Sequence, residues 1–222
     1  MRLITDDEES LLNSTILVPT IGCGAVDQLT IDLLCFNFGK KVGAIQSDHI
    51  GYFSSPNPYD STSNDYATAI DVYLMELPTL GKCLALRISS LLPSVKKELI
   101  EFADDIVEFY EKVQALRIVL VRSAPAMYGI DSQIREWPRC FRQSHQQIFD
   151  VKELEGYSEI QVQRERAVKG DLIRCMETKE IVLSCIYFFV NEGINTEEAI
   201  VFAELISGKS GIKKPRSWDL IC

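Results

Sequence analysis

The clearest hydrophobic pattern lies near the start of the chain, where an aliphatic run is followed by glycines and then by helical spacing. Residues 16–21 are mostly β-branched or aliphatic, which is typical of a strand covered on both faces. Pro19 has no N–H to donate, so we expect it at the end of a strand or at a sheet edge. Beyond the glycines, apolar residues recur at three- and four-residue steps: Val26, Leu29, Leu33 and Phe36. The pattern predicts a strand, a tight turn and a helix that ends in a left-handed Gly39.

The turn between these elements has the sequence Gly22-Cys23-Gly24. In nucleotide-binding α/β domains, the free N–H groups at such a helix start hold a phosphate. The dinucleotide-binding pattern needs a third glycine where this chain has Asp27, and the Lys-Ser/Thr pair of a P-loop is absent. Asp27 also places a negative charge where the phosphate would lie, although it complements the helix dipole. A simple tight turn is therefore favoured over a phosphate site.

The middle of the chain predicts further strands and one long helix. Residues 42–45 indicate a second strand parallel to the first, because strand–helix–strand units normally cross over right-handed. Residues 67–77 and 83–88 flank a turn and predict a hairpin covered on both faces. Residues 94–114 have the clearest amphipathic stripe and predict a helix, and residues 116–121 predict an interior strand.

The C-terminal half begins with a segment of weak patterning. Residues 134–171 are the best candidate for an insertion or a loosely ordered segment. Residues 179–191 are apolar nearly all round, which we interpret as a buried helix. Asn195 and Glu198 have the spacing of a capping box at the start of a further helix, over residues 195–206.

These elements predict a single α/β domain over residues 15–208. Residues 1–14 are expected to be a mobile acidic leader, and residues 209–222 a basic tail. At 222 residues, the chain is long enough to bury a substantial core without disulfides or a metal.

A polar loop over residues 51–64 carries two prolines and three aromatic residues, Tyr52, Phe53 and Tyr59. Aromatic side chains on a loop either pack onto their own domain or are presented to a partner. The sequence leaves both alternatives open.

Several segments resemble the proteasome assembly chaperone 2 family. Residues 24–34, GAVDQLTIDLL, are similar to that family's Gly-Asn-Val-Gly-Gln-Leu-Ala-x-Asp-Leu-Leu segment. A Lys-Val-Gly strand start at residues 41–43 and an Asn-Pro-Tyr loop at residues 57–59 follow in the family's order. Residues 189–193 (FVNEG) and 215–218 (PRSW) resemble its C-terminal region. The resemblance spans most of the chain and is densest in the first third and the last fifth.

The resemblance implies a fold and a function. The fold is a three-layer α/β/α sandwich with a mixed central sheet, similar to that of nucleoside phosphorylases. The function is that of a chaperone for assembly of the proteasome core particle, a heterodimer with assembly chaperone 1 that holds α-subunits and promotes correct α-ring formation.

The end of the chain differs from what the resemblance implies. Complexes of the family engage the α-ring partly through tails that end hydrophobic-Tyr-x, whereas this chain ends Leu220-Ile221-Cys222, with isoleucine at the tyrosine position. Trp218 lies in the matching Pro-x-Ser-Trp motif and is either an anchor that fastens the tail to its own domain or a hot spot for another chain. We predict partner contacts at seven residues of the loop and the tail: Tyr52, Phe53, Tyr59, Trp218, Leu220, Ile221 and Cys222.

Composition and charge narrow the possible functions. The net charge of −9 disfavours broad binding to nucleic acid or to anionic membranes, since both depend on clustered lysine and arginine. Seven cysteines are scattered singly, which indicates reduced thiols in a reducing compartment. We find no signal peptide and no apolar run long enough to span a membrane. We therefore expect a cytoplasmic and nuclear protein.

Candidate catalytic groups are few. His49 follows Asp48, but adjacent residues of an extended segment point in opposite directions, and His145 has no nucleophile motif nearby. We predict no catalytic residue, no cofactor and no metal site. The alternative is a small-molecule (nucleoside-type) enzyme of phosphorylase-like architecture that uses the Gly22–Gly24 turn and residues near Ser123. Fold alone does not confer that activity.

Overall fold

Within the residues that the structure describes, eight strands form a mixed sheet at the centre of the protein. The computed structural model describes residues 1–60, 65–125, 141–145, 148–149, 172–190, 193 and 195–220, with residues 141–145 and 219–220 described for the backbone alone. The strands of the large sheet are β1 (Arg2–Thr5), β2 (Thr15–Pro19), β3 (Lys40–Gln46), β6 (Ile70–Leu77), β7 (Gly81–Ile88), β8 (Arg117–Pro125), β9 (Phe141–His145) and β10 (Leu183–Val190). A separate small hairpin is formed by β4 (Ser54–Pro56) and β5 (Tyr66–Thr68).

The strand order of the large sheet is β1-β3-β6-β7-β2-β8-β10-β9. Its four central strands, β7, β2, β8 and β10, are parallel to one another, and every other pair of neighbouring strands in the sheet is antiparallel. The predicted α/β class with a mixed sheet is confirmed.

Four described helices cover the two faces of the sheet: α1 (Val26–Phe38), α2 (Lys96–Lys112), α3 (Leu172–Glu177) and α4 (Thr196–Ser207). Helices α2 and α3 share one apolar cluster with one side of the strands, and α1 and α4 share a second cluster with the other side. The described elements therefore form three layers, and the central parallel strands are buried between two sets of helices, as parallel strands normally are.

Strand β10 corrects the prediction of a buried helix over residues 179–191. All eight of its residues are buried. Cys185 and Tyr187 face the α2 and α3 cluster, whereas Ile186 and Phe188 face the α1 and α4 cluster. Because both faces of the strand are apolar, the two-residue period is invisible in the sequence. The useful signal was composition, since aromatic and β-branched residues favour strands.

The first residues also differ from the prediction. Residues 1–14 are not a separate leader, because Arg2–Thr5 form strand β1 against β3 and Leu11 is fully buried in the core. The acidic residues that suggested a leader lie at the surface. A few apolar positions among them, Leu3 and Leu11, are enough to hold the segment on the domain.

Strand β3 runs in the same direction as β2, as predicted, but β6 and β7 lie between them and both of its own neighbours are antiparallel. Gly39, before β3, is extended (φ −89°) and not left-handed. A Cβ atom there would lie 2.8 Å from the Cys35 carbonyl oxygen, so glycine is needed for close packing.

The remaining predictions have mixed outcomes. The hairpin is confirmed as β6 and β7, and the long helix and the interior strand as α2 and β8. The last helix is confirmed as α4, but the capping box is wrong, because the Asn195 side chain makes no cap and donates to the Gly193 carbonyl.

Within the predicted insertion over residues 134–171, residues 141–145 form strand β9. The rest of that segment lies outside the described residues, apart from residues 148–149.

Candidate functional site

The Gly22–Gly24 turn is filled by a side chain of its own helix. Asp27, in the first turn of α1, is fully buried. The Gly22 N–H donates to its Oδ2 at 2.8 Å, and the Thr20 hydroxyl donates to the same oxygen at 3.2 Å. The Gln28 N–H donates to Oδ1 at 3.0 Å. A carboxylate therefore already occupies the donors that a phosphate would need, which favours the simple turn.

Burial raises the pKa of Asp27, and the hydrogen bonds from Gly22, Gln28 and Thr20 oppose that shift. Removing a carboxylate from water disfavours its charged form, whereas donors directed at it favour that form. Burial of the Asp27 carboxylate is unfavourable, and the hydrogen bonds from the N–H groups of Gly22 and Gln28 offset part of that cost.

Ser123, the residue on which the enzyme alternative depends, lies directly against this turn. A Cβ atom at Gly22 would lie 2.0 Å from the Ser123 carbonyl oxygen, so the two backbones touch. The Ser123 side chain is 1% exposed, and its hydroxyl has no hydrogen-bond partner among the described residues. A nucleophile needs a base within hydrogen-bond reach and access to substrate. Ser123 has neither in the part of the chain that the structure describes.

The other candidate chemistry is equally sparse. His49 Nδ1 lies 3.6 Å from Glu101 Oε2, which is a partly exposed contact. The side chain of His145 lies outside the described residues. Within the described ranges, no group of three or more His, Cys, Asp or Glu residues could hold a metal ion. None of the five described cysteines forms a disulfide, and Cys140 and Cys222 lie outside the described residues.

A second carboxylate on α1, Asp32, collects side chains from three distant parts of the chain. The Tyr59 hydroxyl donates to Asp32 Oδ1 at 2.6 Å, and Arg87 Nε donates to the same oxygen at 2.7 Å. The Trp218 indole N–H donates to Oδ2 at 3.0 Å. We call Asp32, Tyr59, Arg87 and Trp218 the Asp32 cluster. It brings together two of the predicted partner-binding residues, Tyr59 and Trp218.

Packing and charge hold the Asp32 cluster in place. The Tyr59 ring contacts Phe36 and Tyr73, with ring centroids 5.4 and 6.0 Å apart, and the Arg87 guanidinium lies 5.4 Å from the Tyr59 centroid. Arg87 Nη1 is also 3.6 Å from Asp71, a fully buried acid that pairs with Lys41 at 2.8 Å. Burial, with the nearby acids, raises the pKa of Tyr59, which therefore remains a hydrogen-bond donor at neutral pH.

The aromatic loop, residues 51–60, is partly packed and partly presented. Tyr59 is packed in the Asp32 cluster, whereas Tyr52 is 64% exposed and Phe53 is 38% exposed. The Tyr52 hydroxyl donates to Asp48 at 3.2 Å and accepts from the Gln46 side chain at 3.0 Å, so the exposed ring is held in one orientation. In this loop, Tyr59 packs onto its own domain, whereas Tyr52 and Phe53 are exposed and available to a partner.

The tail is fastened to the domain by Trp218, which is 4% exposed. Upstream of it, the Asn37 side chain both donates to the Lys213 carbonyl at 2.9 Å and accepts from the Lys213 N–H at 3.0 Å. These contacts support the anchor interpretation of Trp218. The Leu220 side chain and residues Ile221 and Cys222 lie outside the described residues.

Sequence reasoning missed Asp32, Arg87 and Asp71, which connect the loop to the tail. Each is a charged residue next to apolar core residues of its helix or strand, and a charge is seldom buried without a partner. That signal marks the positions, but it does not reveal that Tyr59 and Trp218 are the partners.

Comparison with known proteins decides the relationship. The chain is 24% identical over 232 residues to proteasome assembly chaperone 2 of mouse (Mus musculus), an alignment that covers 92% of this chain and 84% of the mouse protein. It is 23% identical to the human (Homo sapiens) protein of the same name, over 94% and 86% of the two chains. The chain is a homologue of proteasome assembly chaperone 2. No protein-family model matches the chain.

Solved structures also show the fold of this chain. An archaeal homologue of proteasome-assembly chaperone from Pyrococcus furiosus, PbaA, superimposes with a TM-score of 0.62 at 12% identity, over 99% of this chain and 92% of the other. PbaB from the same organism, an archaeal proteasome activator, has a TM-score of 0.56 at 12% identity, over 99% and 93%. The three-layer sandwich is thus found in structures with little sequence in common with this chain.

Proposed function

We propose that the protein is a chaperone for assembly of the proteasome core particle, acting as a heterodimer with assembly chaperone 1 to hold α-subunits and promote correct α-ring formation. The observation that carries the proposal is the similarity to curated proteins named proteasome assembly chaperone 2 over 92% or more of this chain.

The arrangement of the described residues favours a protein that binds polypeptides over an enzyme that acts on a small molecule. The glycine turn is closed by Asp27, and Ser123 is buried behind it. The presented features are the rings of Tyr52 and Phe53, both of which stand at the surface on a loop whose base is packed. Aromatic residues on a rigid support are typical of protein interfaces.

The proposal includes a location in the cell. In the described part of the chain, no helix has both the length and the apolar character to cross a membrane. We propose the cytoplasm and the nucleus, which are reducing compartments compatible with scattered thiols.

The proposal is tested by recovering tagged protein from cells and identifying bound proteins by mass spectrometry. We expect a homologous chaperone subunit and proteasome α-subunits, without mature β-subunits. Recovery of neither class would contradict the proposal.

A paired variant localises the binding surface. We expect Tyr52→Ser combined with Phe53→Ser to weaken binding of the partners about thirtyfold, since two aromatic anchors that contribute about 1 kcal/mol each add up to about 2 kcal/mol. Leu116→Ser is the matched control, because Leu116 is 54% exposed and lies before the start of β8, whereas the aromatic loop adjoins Ser90, after the end of the parallel strand β7. Equal loss in both variants would show that the loop has no special role.

The enzyme alternative is tested by incubating the purified protein with nucleosides and phosphate. Turnover that is lost in Ser123→Ala would overturn the chaperone proposal.

A further inference from the structure

Residues 209–216 follow helix α4 and pack against the layer of α1 and α4, and we call this segment the basic strap. It contains four cations and no acid, in a chain whose net charge is −9. All four cations are exposed: Lys209, Lys213, Lys214 and Arg216. The strap is therefore a local basic surface on an acidic protein.

Burial follows a three-residue period through the strap and just beyond it. Ile212, Pro215 and Trp218 are buried, whereas the cations between them are exposed. Ile212 and Trp218 belong to the apolar cluster that α1 and α4 share with the sheet. Because these apolar residues hold the segment on the domain, the intervening cations lie on its outer side.

Hydrogen bonds from both helices fix the backbone of the strap. The Asn37 side chain of α1 holds the N–H and the carbonyl of Lys213, at 3.0 and 2.9 Å. Glu204 of α4 accepts from the Gly211 N–H at 2.7 Å. A partner would therefore meet a segment that is already ordered, which lowers the entropic cost of binding.

The cations of the strap differ in how far they are already neutralised. Lys214 pairs with Glu197 at 2.7 Å. Among the described residues, the side chains of Lys213 and Arg216 have no ion-pair partner. Exposed charges of one sign favour a partner surface of the opposite sign. Lys213 and Arg216 are thus the positions where an acid of another molecule gains most.

We propose that the basic strap binds an acidic segment of another polypeptide, with Lys213 and Arg216 as its principal contacts. A short acidic segment can meet the strap alone. Nucleic acid or an anionic membrane extends beyond it, over a protein whose net charge of −9 repels a polyanion. The strap includes neither Tyr52 nor Phe53, and its binding to an acidic segment is a property of the purified chain that does not depend on the proposed chaperone function.

The experiment measures binding of a fluorescent polyglutamate peptide to the purified full chain by fluorescence anisotropy. A peptide of about eight residues matches the strap in length, since an extended backbone advances about 3.3 Å per residue. We expect Lys213→Glu combined with Arg216→Glu to weaken binding about tenfold at low salt, because two attractive pairs become repulsive. Added salt should weaken binding to the unchanged chain, since exposed charges are screened.

Lys96→Glu combined with Lys97→Glu is the matched control. It makes the same change in net charge at two exposed lysines of α2, in the other layer of helices. The control should change the affinity by less than about twofold, since screening confines the effect of a distant charge. Circular dichroism confirms that each variant is folded.

Three results would overturn the proposal. Equal losses in the two double variants would show that only the net charge matters. No binding of the peptide at concentrations up to about 1 mM would show that the strap has no affinity for acidic segments. Tighter binding of oligothymidylate or of phosphatidylserine vesicles than of polyglutamate, at the same salt, would identify a different class of partner.

Discussion

Two carboxylates on helix α1, Asp27 and Asp32, lie five residues apart and each accepts three hydrogen bonds. The donors to Asp27 come from residues 20, 22 and 28, all within seven positions of it. The donors to Asp32 come from residues 59, 87 and 218. One acid therefore closes a local turn, and the other joins three segments that are far apart in the chain.

The difference gives two acids of the same helix separate structural roles. The donors at the start of the helix are hydrogen-bonded to Asp27, so they are not available to an anion. Asp32 fixes the base of the aromatic loop and the tail, which leaves the outer residues of the loop to be presented. The two roles can be separated by substitution, because the acids share no hydrogen-bond partner.

The largest effect is expected for Asp32→Ala. It leaves the partly buried Arg87 guanidinium, 15% exposed, without its closest carboxylate and removes the acceptor for Tyr59 and Trp218. We therefore expect the free energy of unfolding to fall by about 3 kcal/mol. Urea denaturation measures this loss, and limited proteolysis should show earlier cleavage of the tail. Asp32→Asn keeps the shape and one acceptor oxygen and should cost less. Equal stability of the alanine variant and the unchanged chain would show that the cluster is dispensable.

Gly22→Ala should have the next largest effect. The new Cβ atom would lie 2.0 Å from the backbone oxygen of Ser123, so β8 or the turn must shift, at a cost of about 2 kcal/mol. Gly51→Ala is the control, because its nearest atom is 4.0 Å away. Thermal unfolding of the two variants measures the difference, and a Gly22→Ala melt matching that of Gly51→Ala would contradict the close contact.

Asp27→Asn tests the pH dependence of stability that the buried Asp27 contributes. Burial raises the pKa of Asp27 in the folded state, so its protonated form is favoured there relative to the unfolded chain. Its contribution is present below the unfolded pKa and is lost as pH rises through the raised folded pKa. The stability of the unchanged chain relative to Asp27→Asn should therefore be greatest in acid and decline towards neutral pH, as measured by urea denaturation at several pH values. A difference that grew with pH would show that the hydrogen bonds outweigh burial.

Trp218→Phe should have the smallest effect. It keeps most of the buried ring and removes the indole N–H that donates to Asp32, a loss of about 1 kcal/mol. Lys214→Ala, which breaks an exposed ion pair with Glu197, serves as the control and should cost about 0.5 kcal/mol or less. If urea denaturation gave the two variants the same stability, the indole hydrogen bond would contribute little.

Patterning predicted the elements whose two faces differ. Helix α2 has a charged, solvent-exposed face and an apolar face. The sequence predicted this helix over residues 94–114, close to the observed Lys96–Lys112. Strand β10 is apolar on both faces, so the sequence could not distinguish a strand from a helix. Strand β1 is short and lies among acidic residues, and the few apolar positions that place it against β3 carry little signal.

The sequence selected Tyr59 and Trp218 as partner contacts, and that prediction stays untested. The structure packs both side chains against Asp32 of their own domain, a carboxylate that the sequence did not single out. A contact between residues 32 and 218 depends on the whole tertiary fold, and no local pattern encodes it. The outward orientation of Tyr52 and Phe53, against the inward one of Tyr59, also depends on packing with α1 and β6.

The separation of 186 residues between Asp32 and Trp218 has a consequence for biosynthesis. A chain that emerges from the ribosome can form α1, β7 and the aromatic loop early, but the third donor to Asp32 is absent until residue 218 has been synthesised. Long-range contacts of this kind form late in folding. A prematurely terminated product would therefore hold Asp32 through Tyr59 and Arg87 alone, with its helix and loop in place but not yet joined to the tail.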